Sequence, residues 1–186
     1  QQLGMASPEE AGPKIMEAVG RAHELDNTLA EVHFISAAMN VLGMWDWEAG
    51  EAAYKKAIEI NPNHTDAHAI YSQLLIILGR PEEGMEHANL AFKLDPHNPM
   101  VKVWYSADLL FVHCYDDCIS ISREILEKNP TMFLALANLF PALHMKERYD
   151  EAFEATKLYI CNFYTDFDHV FDQYEHFGYA GTLNLE

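Results

Sequence analysis

Basic residues are scarce in this sequence: 12 Lys and Arg stand against 29 Asp and Glu in 186 residues, a formal charge of −17. Nucleic-acid binders gain most of their affinity from a basic face, so no nucleic-acid partner is expected. The acidic balance instead favours basic or apolar partners. Cysteine is also sparse. Cys114, Cys118 and Cys161 form an odd set, too small for a disulfide framework, which points to a reducing compartment. No apolar run approaches the roughly 18 residues that suggest a membrane span, and no signal-peptide pattern is visible. These absences lead us to expect a cytoplasmic protein. There is no Gly-rich phosphate loop, and no Ser, His and Asp set with a supporting nucleophile turn, so neither catalysis nor a cofactor is expected. The sequence begins "QQLG" without Met and stops at "LNLE", and on that ground it is expected to be a piece of something longer.

What is present is apolar substance arranged with a period. The chain is 49% hydrophobic, enough to fold as one domain or one compact array. Pro62, Pro96 and Pro130 lie 34 residues apart, each after Asn or Asp, in "EINP", "KLDP" and "EKNP". One period earlier, "ELDNT" has Thr28 where Pro would fall. Other columns agree. Gly50, Gly84, Cys118 and Ala152 share one position, all small; Trp47, Pro81, Tyr115 and Tyr149 share another. Ala38, Ser72 and Ser106 form a third small column, broken by Phe140. Each unit reads as two amphipathic segments of about 13 residues, with apolar positions three and four apart. Two such helices cannot bury their stripes alone, so stacked neighbours must complete the core. The Pro after each second helix blocks its continuation.

The period, an aromatic, then small residues, then Pro, resembles the tetratricopeptide repeat. "WEAGEAAYKKAIEINP" carries the second half of that pattern, with Gly50, Tyr54, Ala57 and Pro62 in its A, F, A and P places. The first half departs from it, since Phe34, His68, Lys102 and Leu136 occupy the Trp place. The resemblance implies an all-α, right-handed superhelix of stacked antiparallel helix hairpins. It also sets the boundaries: an N-terminal helix over 7–25 with Ser7 as N-cap, repeats at 31–64, 65–98, 99–132 and 133–166, and a capping helix and tail over 167–186.

Two groups of residues offer metal chemistry at first sight. "NPNHTDAH" presents His64, Asp66 and His68. In a helix i and i+4 share a face while i+2 does not, so these three do not converge as a zinc site requires; His68 is assigned to packing, Asp66 to the inner rim and His64 to the turn. Cys114 and Cys118, beside His113, match no common zinc spacing. Cys118 falls in the small column, where a buried thiol packs like a larger Ala. The paired acids at Glu9, Glu82 and Asp116–Asp117 suit first turns of helices, where they complement the dipole. No metal is expected.

The resemblance implies that ligands lie along the first helices of successive repeats. That face would carry Val32, Ile35 and Met39, then Asp66, Ala69, Gln73, Ile76 and Ile77. It continues with Met100, Val103, Ala107, Leu110 and Phe111, and ends with Leu134, Ala137, Pro141, His144 and Met145. The face is apolar and Met-rich, suited to adaptable contacts. It lacks the Lys, Arg and Asn with which this family clamps acidic peptide tails. A protein or peptide partner of apolar or basic character would fill it, or else the tail helix or a second copy of the chain would, giving a homo-oligomer. Pro141 is expected to kink the fourth unit locally. The expected function is a non-enzymatic interaction scaffold. An alternative comes from "WDWEAG", which resembles arrays attached to bacterial signalling enzymes and transcription regulators, where the chain would be a sensory segment.

Overall fold

The computed structural model describes residues 8–161, which form nine α-helices and no strand. The helices are α1 (Pro8–Leu25), α2 (Ala30–Leu42), α3 (Trp47–Ile60), α4 (Thr65–Ile77), α5 (Pro81–Leu94), α6 (Pro99–Phe111), α7 (Tyr115–Lys128), α8 (Phe133–Met145) and α9 (Tyr149–Cys161). They fall into two compact units, divided between Asp95 and Pro96. The first holds α1–α5 and the second α6–α9. The expected N-cap Ser7 and the expected tail helix over 167–186 lie outside the described residues.

Local chemistry sets where the helices stop and start. Asn61, Asp95 and Asn129 are the C-caps of α3, α5 and α7, each followed by the Pro that cannot continue a helix. Asp46 caps α3 by accepting from Ala49 N at 3.0 Å, and Asn98 caps α6 by accepting from Met100 N at 2.9 Å. Glu82–Glu83 and Asp116–Asp117 sit in the first turns of α5 and α7, where the helix dipole favours them. α8 runs through Pro141 as one helix.

In the first unit α2 pairs with α3 and α4 with α5, while α1 lies against α2. The core gathers Ala37, Tyr54, Tyr71, Leu74 and Leu75, with Phe34 and Val41 packed against it. The rings of Tyr54 and Tyr71 stack at 5.7 Å. In the second unit α7 packs between α6 and α8, and α8 pairs with α9. Val103, Ile125 and Ala135 form a core there; Leu136, Leu139 and Leu143 are buried too. Each fully buried Leu contributes about 1.5–3 kcal/mol. Asn138 of α8 grips α6 by donating to Val103 O at 3.0 Å and to Ser106 Oγ at 2.8 Å.

The small column fixes how close the hairpin helices come. A Cβ on Gly50 would lie 2.4 Å from Val41 Cγ2, and one on Gly84 would lie 2.9 Å from the Ser72 carbonyl oxygen. Cys118 and Ala152 are buried at the corresponding positions. We expect Gly84→Ala to cost about 1–3 kcal/mol in chemical denaturation, because the backbone oxygen it meets cannot rotate away. Gly20→Ala in α1, which meets nothing within 4 Å, should instead gain up to about 1 kcal/mol from helix propensity.

The turns between hairpin helices share a second backbone constraint. Trp45, Gly79, His113 and Glu147 have φ values of 56, 78, 64 and 59° and stand 34 residues apart. This left-handed conformation lets the next amide reach back to the end of the first helix. Arg80 N donates to Leu75 O at 2.9 Å, Cys114 N to Leu109 O at 2.8 Å and Arg148 N to Leu143 O at 3.0 Å. In the first turn Asp46 N reaches one residue further, to Asn40 O at 2.9 Å. Glycine takes this conformation freely, whereas a bulky residue does so at a cost of about 1 kcal/mol. Trp45→Gly should therefore raise the stability of the chain by about 1 kcal/mol in the same measurement.

Candidate functional site

The face expected to bind a partner divides in the structure into residues that reach solvent and residues that do not. Ile77, Phe111 and Met145 occupy one repeat position at the ends of α4, α6 and α8, and they are 57, 54 and 56% exposed. Ile35 and Met100 are exposed, as are Asp66 and His144. Met39, Gln73, Leu110, Ala137 and Pro141 are half-buried.

The remaining expected site residues face inward. Val32 is buried, and with Ile35 it lines a groove shared with α1. Ala69 and Ala107 are buried. Ile76 turns toward the α5 helix, with its Cγ1 2.8 Å from where a Gly84 Cβ would stand. Val103 belongs to the second core, and the half-buried Leu134 packs against it. Helical spacing placed these residues on the outer face of their own helix; the packing of α1 beside Val32, of α5 on Ile76 and of α7 and α8 on Val103 turns them inward.

Two clefts within the units were not foreseen. A groove of about 280 Å³ lies between α1 and α2, lined by Ile15, Ala18, Val19, Ala22, Val32 and Ile35, with Glu31 at its edge. Here α1 partly fills the face of the first repeat. A second cleft of about 350 Å³ is floored by Leu126, Leu136, Leu139 and Leu143, with Leu158 of α9 beside them. Its rim holds Arg123, Asp150, Glu151 and Glu154. Arg148 donates to Glu151 at 2.7 Å, Arg123 also pairs with Glu151, and together they hold its carboxyl below the usual range, Arg148 contributing most. The apolar stripes of α1 and α9 were the available signal for both clefts.

Comparison with known proteins bears on what this arrangement is. The tetratricopeptide-repeat family pattern matches residues 53–86, from within α3 into the start of α5. The chain folds as a tetratricopeptide-repeat protein. PilW, described as a widely conserved type IV pilus biogenesis factor, superposes with a TM-score of 0.75 at 15% identity, over 93% of this chain and 83% of that one. The pilF protein of Pseudomonas aeruginosa gives 0.70 at 16% identity, over 94 and 82%. YrrB, described as a tetratricopeptide-repeat protein with an unusual peptide-binding site, gives 0.62 at 17% identity, over 83 and 80%. These likenesses fix an all-α superhelical repeat fold. No curated protein sequence matches the chain significantly.

In the tetratricopeptide frame the Trp place carries polar side chains in the two middle repeats, and both are engaged. Lys102 is buried and pairs with Glu124, whose carboxyl is held below its ordinary range mainly by that ammonium. His68 is buried, and its Nδ1 lies 2.7 Å from His87 Nδ1 while its Nε2 lies 3.1 Å from Pro62 O. A carbonyl oxygen only accepts, so Nε2 carries the proton of neutral His68. Its Nδ1 then accepts from His87. His64 is the N-cap of α4, its Nδ1 accepting from Ala67 N at 3.2 Å. The histidines of "NPNHTDAH" are thus occupied in packing and capping, with Asp66 exposed beside them. Among the described residues no three His, Cys, Asp or Glu side chains gather to hold a metal ion. Cys118 is buried with its Sγ 3.6 Å from Asn138 O, and its thiol is pushed up to about 11 by burial, while Cys114 is exposed at the start of α7.

A charged network adjoins the histidine pair. Glu51 receives Lys55 at 2.7 Å, Arg80 at 2.7 Å and the Tyr71 hydroxyl at 3.0 Å, and chiefly the first two hold its carboxyl near a pKa of about 2. Burial pushes both His68 and His87 below the ordinary imidazole value. The unfolded chain therefore takes up protons first as pH falls, and the pair's contribution to stability is full above about pH 6.5 and is lost below it. Relative to a His68→Gln/His87→Gln variant, the parent chain should lose denaturation midpoint as pH drops from about 7.5 to about 5. Parallel pH profiles for the two proteins would remove this role for the pair.

Proposed function

We propose that the chain is a non-enzymatic interaction scaffold of four repeats. It holds an apolar or basic peptide or helix against the exposed ends of its first helices, or holds a second copy of itself there. The carrying observation lies within the second unit, where Phe111 and Met145, at one repeat position of α6 and α8, are large apolar side chains more than half exposed; Ile77 holds the same position in the first unit. Apolar groups on a rigid helix end lose little freedom on binding, so their burial is well converted into affinity. The acidic balance of the chain, with 29 Asp and Glu to 12 Lys and Arg, disfavours acidic competitors. The peptide-binding site named for YrrB supports the same reading. The free thiols of Cys114 and Cys118 suit a cytoplasmic setting, and no described helix is long and apolar enough to cross a membrane.

Replacing Phe111 with Glu tests the reading. It should abolish partner capture, or reduce an oligomer to monomer in light scattering, while circular dichroism reports unchanged helicity. A folded Phe111→Glu chain that still associates as the parent does would show that the binding surface lies elsewhere.

A further inference from the structure

The turn between α2 and α3 differs from its three counterparts in a way the first-helix column does not explain. Leu42, Met44, Trp45 and Trp47 are 73, 59, 75 and 37% exposed within six residues of sequence. The later turns place Gly79, His113 and Glu147 where this one has Trp45. No hydrogen bond, ion pair or ring contact engages the Trp45 side chain among the described residues. An indole that strains its own backbone and leaves three quarters of its surface in solvent returns little to the fold of this chain. Its apolar surface is available to something else.

The surrounding charge says what kind. Asp46 and Glu48 flank Trp47, both exposed, and neither forms an ion pair with a described residue. An exposed indole face attracts Lys and Arg, and attracts Arg most often. A carboxylate on either side would hold the same cation, and the apolar Leu42 and Met44 would cover an aliphatic neighbour. We propose that the α2–α3 turn is a second docking edge, for a protein segment that presents an arginine or lysine beside an apolar side chain. The excess of 17 negative charges would draw such a segment in and make its capture salt-dependent.

A synthetic helical peptide with Arg and Leu on one face, and a control with Glu for each Arg, provides the probe. Titrated into the whole chain and followed by tryptophan fluorescence and calorimetry, the Arg peptide is expected to bind and the Glu peptide not to. Trp45→Ala and Trp45→Gly should each weaken binding about tenfold with helicity intact, and should do so by the same factor in a chain that already carries Phe111→Glu. That last comparison separates this edge from the first-helix column. The proposal is overturned if the parent chain binds neither peptide, if the Glu peptide binds as well, or if both Trp45 variants bind as the parent does. It is equally overturned if the Trp45 variants convert a peptide-free dimer to monomer, which would make the turn a contact between copies.

Discussion

Everything in this fold depends on how closely the two helices of a hairpin approach. At Gly84 there is no room for a single extra carbon, because the Ser72 carbonyl would lie 2.9 Å from it. That approach lets Ile76 of α4 pack against α5, while Leu75 is buried in the core with Ala37, Tyr54 and Tyr71. Each hairpin closes over its small residue, and the first three end at Asn or Asp before Pro and begin again. The buried Cys118 and Ala152 serve the same purpose in the second unit, with slightly more volume and no glycine.

With the hairpins fixed, the Trp place becomes free to vary. The large aromatic of the family pattern fills volume between the helices, and this chain fills it four ways: Phe34, His68, Lys102 and Leu136. The two polar choices are tolerable because each meets a partner on the following second helix, His87 on α5 and Glu124 on α7. A buried polar group left alone would cost about 1–3 kcal/mol. Polar replacement thus turns a non-directional contact into a directional one, and it makes the first unit sensitive to acid in a way a Trp or Phe would not be.

These partners explain what could be read from the sequence and what could not. The prolines, the small column and the acidic first turns act on their own helix or the next, so spacing reveals them: Asn61, Asp95 and Asn129 cap helices where the prolines said they would. The His68–His87 pair joins residues 19 apart, with no local signal linking them. Which residues of the proposed binding face reach solvent was legible only in part for the same reason. Position on a helix gave Ile77, Phe111 and Met145 their exposure, but Val32, Ile76 and Val103 are turned inward by α1, α5 and α7–α8, whose contacts no single-helix pattern contains. The left-handed backbone at Trp45 was hidden too, since only register with Gly79 exposes it.

The hairpin ends carry the remaining tension between folding and use. All four turns need a left-handed residue, and only Gly79 meets the need without cost. Had stability alone governed these positions, glycine would serve at each. Trp45, His113 and Glu147 instead place side chains at the rim of the array, two residues beyond the position of Ile77, Phe111 and Met145. His113 uses its place to hydrogen-bond Tyr115 at 2.7 Å, so its strain is offset within the chain. Trp45 has no such return, and it is the largest of the set and 75% exposed. A repeat fold whose interior is fixed by close helix contacts tolerates change at such turns, where a substitution costs about 1 kcal/mol of strain and leaves the core untouched.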